Sequence, residues 1–472
     1  MELPKFIGLK SNYNKKYLRY IHEDSEVHGL YQFSGDVAVS GYAKFEVEQA
    51  KIGNGLVHIR SVYNNKYWVR WSSNHWWIAA NADEPDEDQS KWSCTLFEPI
   101  RVDGGGDNGP TIRLRHVQLG HFACLWRASP PYDSCLFAGS AEPNKELLDV
   151  FPIFDWDSLL VLPKHIAFKG DNGTDSYLRG RKIQGTNYLI FKGTDTGSSA
   201  VANEVFATSI GDSTIRIKSL FFDKFWSRNE SGWIVAEGWN SDPNDPNTLF
   251  FPTKVSNNVV ALRNLGNQLF CKRFTNKITG GLSAIIPTIT LEAKLEVHEL
   301  VASREIKNVE FFLRDGRIYD KKVIIVATGS AENRLKQPTI IDVKLSYDDP
   351  STSTWSSTVS VKLGVKTSIK SSIPIIFEEK LAIGSEFSGE IEWGEAKNLT
   401  KSVETVHKVL VQPLSKVTVN LVATQASCDV PFSYIQNDTL INGQNITLNM
   451  EDGIYKGINL YNFQFQTESS QL

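Results

Sequence analysis

The sequence predicts an all-β chain of three modules: two barrels, each wrapped from a threefold repeat, followed by one elongated twisted sheet. Three observations carry that expectation. The chain has 472 residues, too many for one hydrophobic core and enough for about three domains of ordinary size. A hairpin phrase recurs in two sets of three over the first two modules. From about Ser303 onward aromatic clusters thin out, and Ser, Thr, Val, Ile and Lys take over in long alternating runs.

The first set reads "IGLKSNYNKKYLRY" from Ile7, "VHIRSVYNNKYWVRW" from Val57 and "IRLRHVQLGHFACLW" from Ile112. Each opens as an alternating strand with a basic residue, crosses a polar turn and returns as an aromatic-rich strand, which is the pattern of a hairpin. Each is followed by a second phrase, "YAKFEVE" from Tyr42, "CTLFEPI" from Cys94 and "LDVFPIF" from Leu148, whose central Phe sits on an alternating strand. A repeat therefore holds about four strands. The second set, "IAFKGDNGTDSYLRG" from Ile166, "IRIKSLFFDKFWSRN" from Ile215 and "VALRNLGNQLFCKRF" from Val260, closes with "EVFATSI", "TLFFPTK" and "KLEVHEL". Such a unit buries no apolar face alone, so three of them wrap into a pseudo-threefold barrel that exposes no long edge. The β-trefoil is the simplest such closure, and two are expected in tandem, over 1–153 and 154–302. The joint "FDWDSLLVLPKH", 154–165, carries Trp156, Leu159 and Leu160 and reads as a short helix packed between the barrels.

The third module, 303–472, contains a candidate insertion hairpin at 358–393. Val359, Val361, Leu363, Val365, Thr367 and Ile369 alternate with Ser360, Lys362, Lys366 and Lys370. A second arm repeats the pattern with Leu381, Ile383, Phe387, Ile391 and Trp393. Each arm reaches the ~9–11 residues that a tilted strand needs to cross a bilayer. They are joined through "SSIPIIFEEK", where Ile373, Pro374, Ile375, Ile376 and Phe377 make a tip that is apolar on both faces. Glu378, Glu379 and Lys380 then stop it. The plainer reading is an amphipathic hairpin resting on a soluble sheet. Arm length and a Ser/Thr/Gly/Lys face favour insertion, because a ring of such hairpins closes into a barrel with its backbone groups paired and its lumen hydrated. Assembly must precede release, since a lone hairpin leaves unpaired edges in lipid.

Net charge is −4 with a pI near 6.2 and there is no long basic run, which argues against nucleic acid as a partner. No apolar stretch follows a basic start, and nowhere do ~18 apolar residues run together. The expectation is a soluble cytoplasmic or nucleocytoplasmic protein without a secretory signal, membrane-associated only on activation. Cys94, Cys124, Cys135, Cys271 and Cys428 are odd in number and scattered, so they read as reduced and buried. Sequons begin at Asn172, Asn229, Asn398, Asn437 and Asn445, matches that arise readily by chance in a polar β-rich chain. The dispersed histidines show no H-E-x-x-H spacing, and neither G-x-S-x-G nor a P-loop is present. No catalytic residue, metal or cofactor is therefore expected, and a glycosidase reading has no residues to rest on. "RVDGGGDNGPT", 101–111, reads as an inter-strand loop, and "DEPDED", 83–88, as a solvated acidic loop in preference to a Ca²⁺ site.

"LKSNYNKKYLRY", "LVHIRSVYNNKYWVRWSSNHWWIAANADEPDEDQSKWSCTLFEP" and "VQLGHF" closely resemble the amaranthin family of plant agglutinins, from the start to about Leu300, a likeness continued in "DVFPIFDWDS" and "KRFT". "GVKTSIKSSIPIIFEEKLAIGSEFSGEIEWGE", 364–395, is similar to aerolysin-type β-pore-forming proteins. The resemblance implies two β-trefoil lectin domains fused to an aerolysin-like domain. It further implies binding of galactose- or N-acetylgalactosamine-containing glycans, a T-antigen-like disaccharide among them, and delivery of the third module to glycosylated membranes in plant defence. Its partners would be a second copy at a lectin dimer and more copies in a ring on the membrane. The alternative is a non-perforating agglutinin whose third module serves oligomerisation or stress signalling.

The residues themselves account for the aromatic crowding near residue 70. Sugars present apolar C–H faces beside hydroxyl rims, so a site wants a flat ring for the face and fixed polar groups for the rim. "SSNHWW" supplies Asn74 and His75 as hydrogen-bond partners and Trp76 or Trp77 as a stacking surface, and strand alternation turns only one of the two rings outward. The resemblance makes Asn74, His75 and Trp76 the nearest sugar contacts, beside a head-to-tail dimer contact. The sequence departs from the family in carrying Trp76 where a tyrosine is expected and Ser73 where a proline is. The plainer reading is a solvated turn or a dimer contact without sugar. Trp68, Trp71 and Trp92 fall where sister repeats carry large apolar residues and read as core. The matching stretch "SRNESGWIVAEG" around Trp233 keeps one aromatic and lacks the His, so the second barrel is expected to have no independent site, though it could supply the other wall across a dimer.

Overall fold

The structure, a computed structural model, describes residues 3–102, 110–170, 176–208, 213–239, 242–256, 258–357 and 365–472. Most of "RVDGGGDNGPT" lies outside the described residues, as does 358–364 with Val359, Val361 and Leu363. The described elements are strands and single 3₁₀ turns.

The first three repeats give four strands each. β1 (Phe6–Leu9), β2 (Tyr17–Tyr20), β3 (Tyr31–Gly35) and β4 (Phe45–Gln49) come first. β5 (Val57–Ser61), β6 (Tyr67–Ser72), β7 (His75–Ala82) and β8 (Phe97–Arg101) follow. β9 (Thr111–His116), β10 (His121–Leu125), β11 (Leu136–Ser140) and β12 (Phe151–Asp155) complete the set. Antiparallel pairing runs β1–β4–β5–β8–β9–β12 and back to β1, so six strands close into a ring. The remaining strands pair as three hairpins, β2–β3, β6–β7 and β10–β11.

The second set repeats this order. Its strands are β13 (His165–Gly170), β14 (Tyr177–Ile183), β15 (Thr186–Gly193) and β16 (Asn203–Ala207). Then come β17 (Ile215–Ser219), β18 (Lys224–Arg228), β19 (Ile234–Gly238) and β20 (Phe250–Lys254). β21 (Val259–Asn264), β22 (Phe270–Phe274), β23 (Gly281–Ile286) and β24 (Leu295–Glu299) end it. A second ring closes through β13–β16–β17–β20–β21–β24.

All six hairpins shift register at the same place: Tyr17/Leu18, Tyr67/Trp68, Phe122/Ala123, Tyr177/Leu178, Phe225/Trp226 and Phe270/Cys271. A bulge bends its strand and re-aims the next side chain, and here the residue after each shift is buried in a core. Each ring holds one tryptophan at that position, Trp68 or Trp226, against two smaller sisters, Leu18 and Ala123 or Leu178 and Cys271. Large beside small fills the axis at interior density.

Trp68 is core, as expected, but its two companions are not. Trp71 is half-buried at a satellite cluster with Trp77 and Tyr132. Trp92 is 43 % exposed, because it lies in the turn-rich connection between β7 and β8 and no strand alternation points it inward. The joint also differs from the predicted short helix. It is one 3₁₀ turn, Trp156–Ser158, capped by the Asp155 carboxylate accepting from the Asp157 amide. Leu159–Lys164 carry no helix; so short a run, broken by Pro163, cannot repay helix nucleation. All five cysteines are buried and unpaired.

The last eight strands form one sheet. They are β25 (Val301–Phe311), β26 (Arg317–Asn333), β27 (Thr339–Ser357), β28 (Thr367–Phe377), β29 (Lys380–Ile391), β30 (Ala396–Val411), β31 (Ser415–Leu440) and β32 (Asn445–Gln471). The order is β29-β28-β25-β31-β32-β27-β30, with β26 also on β31. At ~3.3 Å per residue the longest strands reach roughly 85 Å. Their apolar residues form two cores: one around Trp355, Phe432 and Tyr455, the other around Val343, Val411 and Val419.

The sheet is tied to both rings. Asp315, 3 % exposed, accepts hydrogen bonds from Tyr20 Oη at 2.8 Å and Tyr63 Oη at 3.2 Å, with His28 Nε2 at 2.6 Å. Arg304 joins Glu299 of the second ring (2.7 Å) to Asp438 of β31 (2.7 and 2.8 Å).

Candidate functional site

The first candidate surface is the outer end of the β6–β7 hairpin. Ser73 and Asn74 are its two-residue turn, while His75, Trp76 and Trp77 begin β7 itself. The stretch is thus the hairpin tip, not a loop leaving it. Arg70, 4 % exposed, fixes this tip: Nη2 donates to the Ser73 carbonyl (2.8 Å), Nε to the His75 carbonyl (3.3 Å) and Nη1 to Gln118 Oε1 (2.9 Å). Burial holds its pKa below the ordinary guanidinium value. Ser72 Oγ accepts from the Asn74 amide (3.2 Å) and meets His75 Nδ1 at 2.7 Å, which orients the imidazole.

Alternation then separates the two tryptophans, as expected. Trp77 turns toward Tyr132, stacked at 5.3 Å, and Phe137 at 4.7 Å. Trp76 is 37 % exposed, edge-on to His121 at 4.8 Å. Phe137, 6.0 Å from Trp76, also meets Trp126, 39 % exposed, at 4.5 Å. Asn74, His75, Trp76 and Trp126 thus border an aromatic ledge, with hydrogen-bonding groups at one end and open rings along the rest. His121, Trp126 and Phe137 come from the third repeat and were missed in the sequence. The signal was there: Trp126 ends the "HFACLW" phrase just as Trp71 ends "KYWVRW".

The acidic loop is spent on hydrogen bonds within the first ring. Asp86 accepts from the Asp88 amide and Ser93 Oγ, and Glu87 from the Lys51 and Ile52 amides. Among the described residues no three His, Cys, Asp or Glu side chains are grouped to hold a metal ion.

The second candidate is the β28–β29 hairpin at the margin of the sheet. The described part of its first arm alternates as read: Thr367, Ile369 and Ile373 are buried, while Ser368, Lys370 and Ser372 face water. The tip differs. Ile373–Phe377 is not a loop but the end of β28, and the turn is Glu378–Glu379, both at positive φ (47° and 62°). Two adjacent left-handed glutamates where Asn-Gly is favoured mark a strained turn. Ile373 and Ile376 are 9 % and 1 % exposed and pack on the Trp355 core. Pro374 is buried, Ile375 half-buried and Phe377 exposed, so the predicted two-faced apolar tip keeps one face covered. A register shift between Ser372 and Pro374 breaks the pattern of the second arm, and Ile383, predicted inward, is 50 % exposed.

The hairpin is lightly held. Among the described residues β28 meets β25 through three parallel pairs, Arg304–Thr367, Glu305–Ser368 and Ile306–Ile369, and β29 pairs with β28 alone. Beyond them Asn459 of β32 takes over: Ile376 N donates to its Oδ1 and its Nδ2 donates to Ile376 O, both at 2.9 Å. The carboxamide stands in for one residue of a neighbouring strand. Asn459 was not legible in the sequence, because nothing local marks an asparagine that serves a strand over eighty residues away.

A family model described as Agglutinin domain matches residues 1–155 and 160–295. Natterin-1 of Thalassophryne nattereri is 26 % identical over 162 residues, which is 34 % of this chain and 45 % of that protein. The chain therefore spans less than half the length of that curated relative. Among solved structures, a lamprey immune protein aligns with 65 % of this chain and 91 % of its own at 13 % identity and a TM-score of 0.31. An aerolysin-like protein of Bombina maxima aligns with 35 % and 99 % at 11 % identity and a TM-score of 0.25.

Proposed function

We propose, from the premise that this chain belongs to the Agglutinin domain family, that it is a lectin which brings a releasable β-hairpin to glycan-bearing membranes. In this reading the modules run 1–153, 154–302 and 303–472. The two rings are β-trefoils of the amaranthin type, a reading supported by six-strand closure with three hairpins in each. The ledge of Asn74, His75 and Trp76, with Trp77 behind it, takes galactose- or N-acetylgalactosamine-ended glycans such as the T-antigen disaccharide. The segment 358–393, Ile373–Phe377 leading, becomes a wall of a shared barrel. Copies pair through the lectin modules and ring up on the membrane, where weak sugar contacts gain avidity. No catalysis, metal or cofactor enters, and the protein waits in the cytoplasm as part of a plant's defence.

The observation that carries this reading is the mounting of the hairpin: an amphipathic β-hairpin on an open sheet margin, held by three backbone pairs and one side-chain amide. Dye-loaded liposomes with and without a galactose-β-1,3-N-acetylgalactosamine glycolipid test it. Leakage is expected only from the glycan-bearing vesicles. Trp76→Ala should weaken glycan binding by about tenfold or more, the loss of one stacking ring. Deleting Ser371–Lys380 should abolish leakage while binding persists. Leakage that survives the deletion would sink insertion, and full glycan binding by both Trp76→Ala and Asn74→Ala would sink the ledge.

A further inference from the structure

The second ring treats its tryptophans unevenly. Trp226 is fully buried and Trp233 is 8 % exposed, whereas Trp239, just past β19, is 68 % exposed. Trp233 is the residue on which the sequence comparison with the first ledge rested, and it is core. Trp239 instead walls a cleft of about 710 Å³ together with Arg216, Lys218, Asp223, Lys224 and Asn244. Water-exposed indole beside polar groups is the composition of a saccharide surface.

The cleft is built, not incidental. Arg216 Nη2 donates to the Trp239 carbonyl at 2.7 Å, its guanidinium lies 3.8 Å from the Phe225 ring centroid, and the residue is 4 % exposed. Lys224 Nζ sits 3.2 Å from the Trp239 ring centroid. Among the described residues the lining carries Arg216, Lys218 and Lys224 with one carboxylate, Asp223, which is in contact with Lys218. Asp242 and Asp245 stand nearby, accept from the Asn244 and Asn247 amides and also act on the Arg216 charge, while Lys224 lies over the exposed indole.

We propose that this cleft is a second glycan site, separate from the first-ring ledge, and that it takes an acidic saccharide. The sugar's C–H face lies on the open face of Trp239, and its carboxylate or sulfate meets Lys224, with Arg216 fixing the Trp239 backbone beneath. The inference rests on the lectin reading, yet it uses none of the ledge residues.

The test uses the full chain in a Trp76→Ala background, which takes the ledge out of play. Titration calorimetry compares lactose, sialyllactose and sulfated lactose, the last two separating a carboxylate source from a sulfate source. At least one acidic sugar should bind tenfold or more tightly than lactose, with affinity falling as salt rises. Adding Trp239→Ala should cost at least tenfold, while Lys224→Gln should erase the preference for the acidic form and spare weak lactose binding. Trp239 is exposed, so its replacement leaves the core intact, and an unchanged melting temperature checks this. The proposal is overturned if no acidic sugar outbinds lactose, or if Trp239→Ala binds it undiminished. Loss of neutral disaccharide binding in Trp76→Ala reports on the ledge alone, so either site can fail without the other.

Discussion

In the first ring each of the six strands has a backbone neighbour on both sides, whereas among the described residues β29, at one margin of the long sheet, has β28 alone. Both regions are made of alternating strands with a buried apolar face. The difference is closure. Releasing a ring strand breaks two ladders and opens a core around Trp68, while lifting β28 and β29 together breaks three parallel pairs, one carboxamide clip and the packing of Ile369, Ile373, Ile376, Ile391, Leu381 and Phe387 on the Trp355 core. The rings are thus suited to hold a rigid surface, whereas the third sheet has open margins, and the β28–β29 margin is the one that ends in a short hairpin. Serine and glutamate along β29 keep that open edge from templating other chains in the resting state.

The sharpest way to break the comparison is to give the hairpin the closure the rings have. Glu305 and Ser368 are exposed partners in the parallel ladder. A Glu305→Cys/Ser368→Cys pair, oxidised, should bring liposome leakage to background and leave glycan binding intact, and a reductant should restore leakage. Undiminished leakage from the crosslinked protein would show that some other segment perforates.

The two rings can also be set against each other. His116 faces Phe97 across the first ring, and Asn264 faces Phe250 at the matching place in the second. His116 is fully buried, and burial, helped by the Arg70 charge, pulls its pKa from 6.5 to about 4. The folded ring therefore keeps the imidazole neutral while the unfolded chain takes up a proton below pH 6.5. Stability is lost as pH falls from about 6.5 toward 4, on the order of 3 kcal/mol in all and roughly 2 of it by pH 5. His165 in the second ring is lowered by burial too and adds loss of the same sign. His116→Asn, which copies the second ring, should flatten the fall in apparent melting temperature between pH 7 and 5. An unaltered profile would place the acid sensitivity elsewhere.

What the sequence disclosed follows from where information is local. Repeats, alternation and turn residues are written in consecutive letters, so the hairpin phrases at Ile7, Val57 and Ile112 revealed the strands, and "SSNHWW" revealed one corner of the ledge. Trp126 and Phe137 on the same ledge come from another repeat, and only the ring's closure brings them beside Trp76. Trp92 misled and Trp239 went unread for one reason: an aromatic's side of a turn is set by backbone path, not by composition. "SSIPIIF" carries a proline, and Pro374 sits beside a register shift where a missing N–H costs little.

The smallest expected change tests the weakest tether. β28 has no ladder with β32, so Ile376 would leave both its backbone groups without a strand partner were it not for the Asn459 carboxamide, which also donates to the Leu460 carbonyl at 3.0 Å. Two such bonds contribute about 1–3 kcal/mol net, and Asn459→Ala removes both while leaving the β31–β32 backbone pairing in place. If detachment of the hairpin limits the rate, leakage from glycan-bearing vesicles should then begin roughly tenfold sooner, since ~1.4 kcal/mol is a factor of ten. The Ile376 amide should exchange with solvent faster by a similar factor, with the amides of the two rings unaffected. Faster exchange with unaltered leakage would mean that ring assembly, not unclipping, is slow. Unaltered exchange would mean that Ile376 is held by its apolar contacts alone, and the margin of the sheet would then differ from the closed rings less in its hydrogen bonding than in how few side chains cover it.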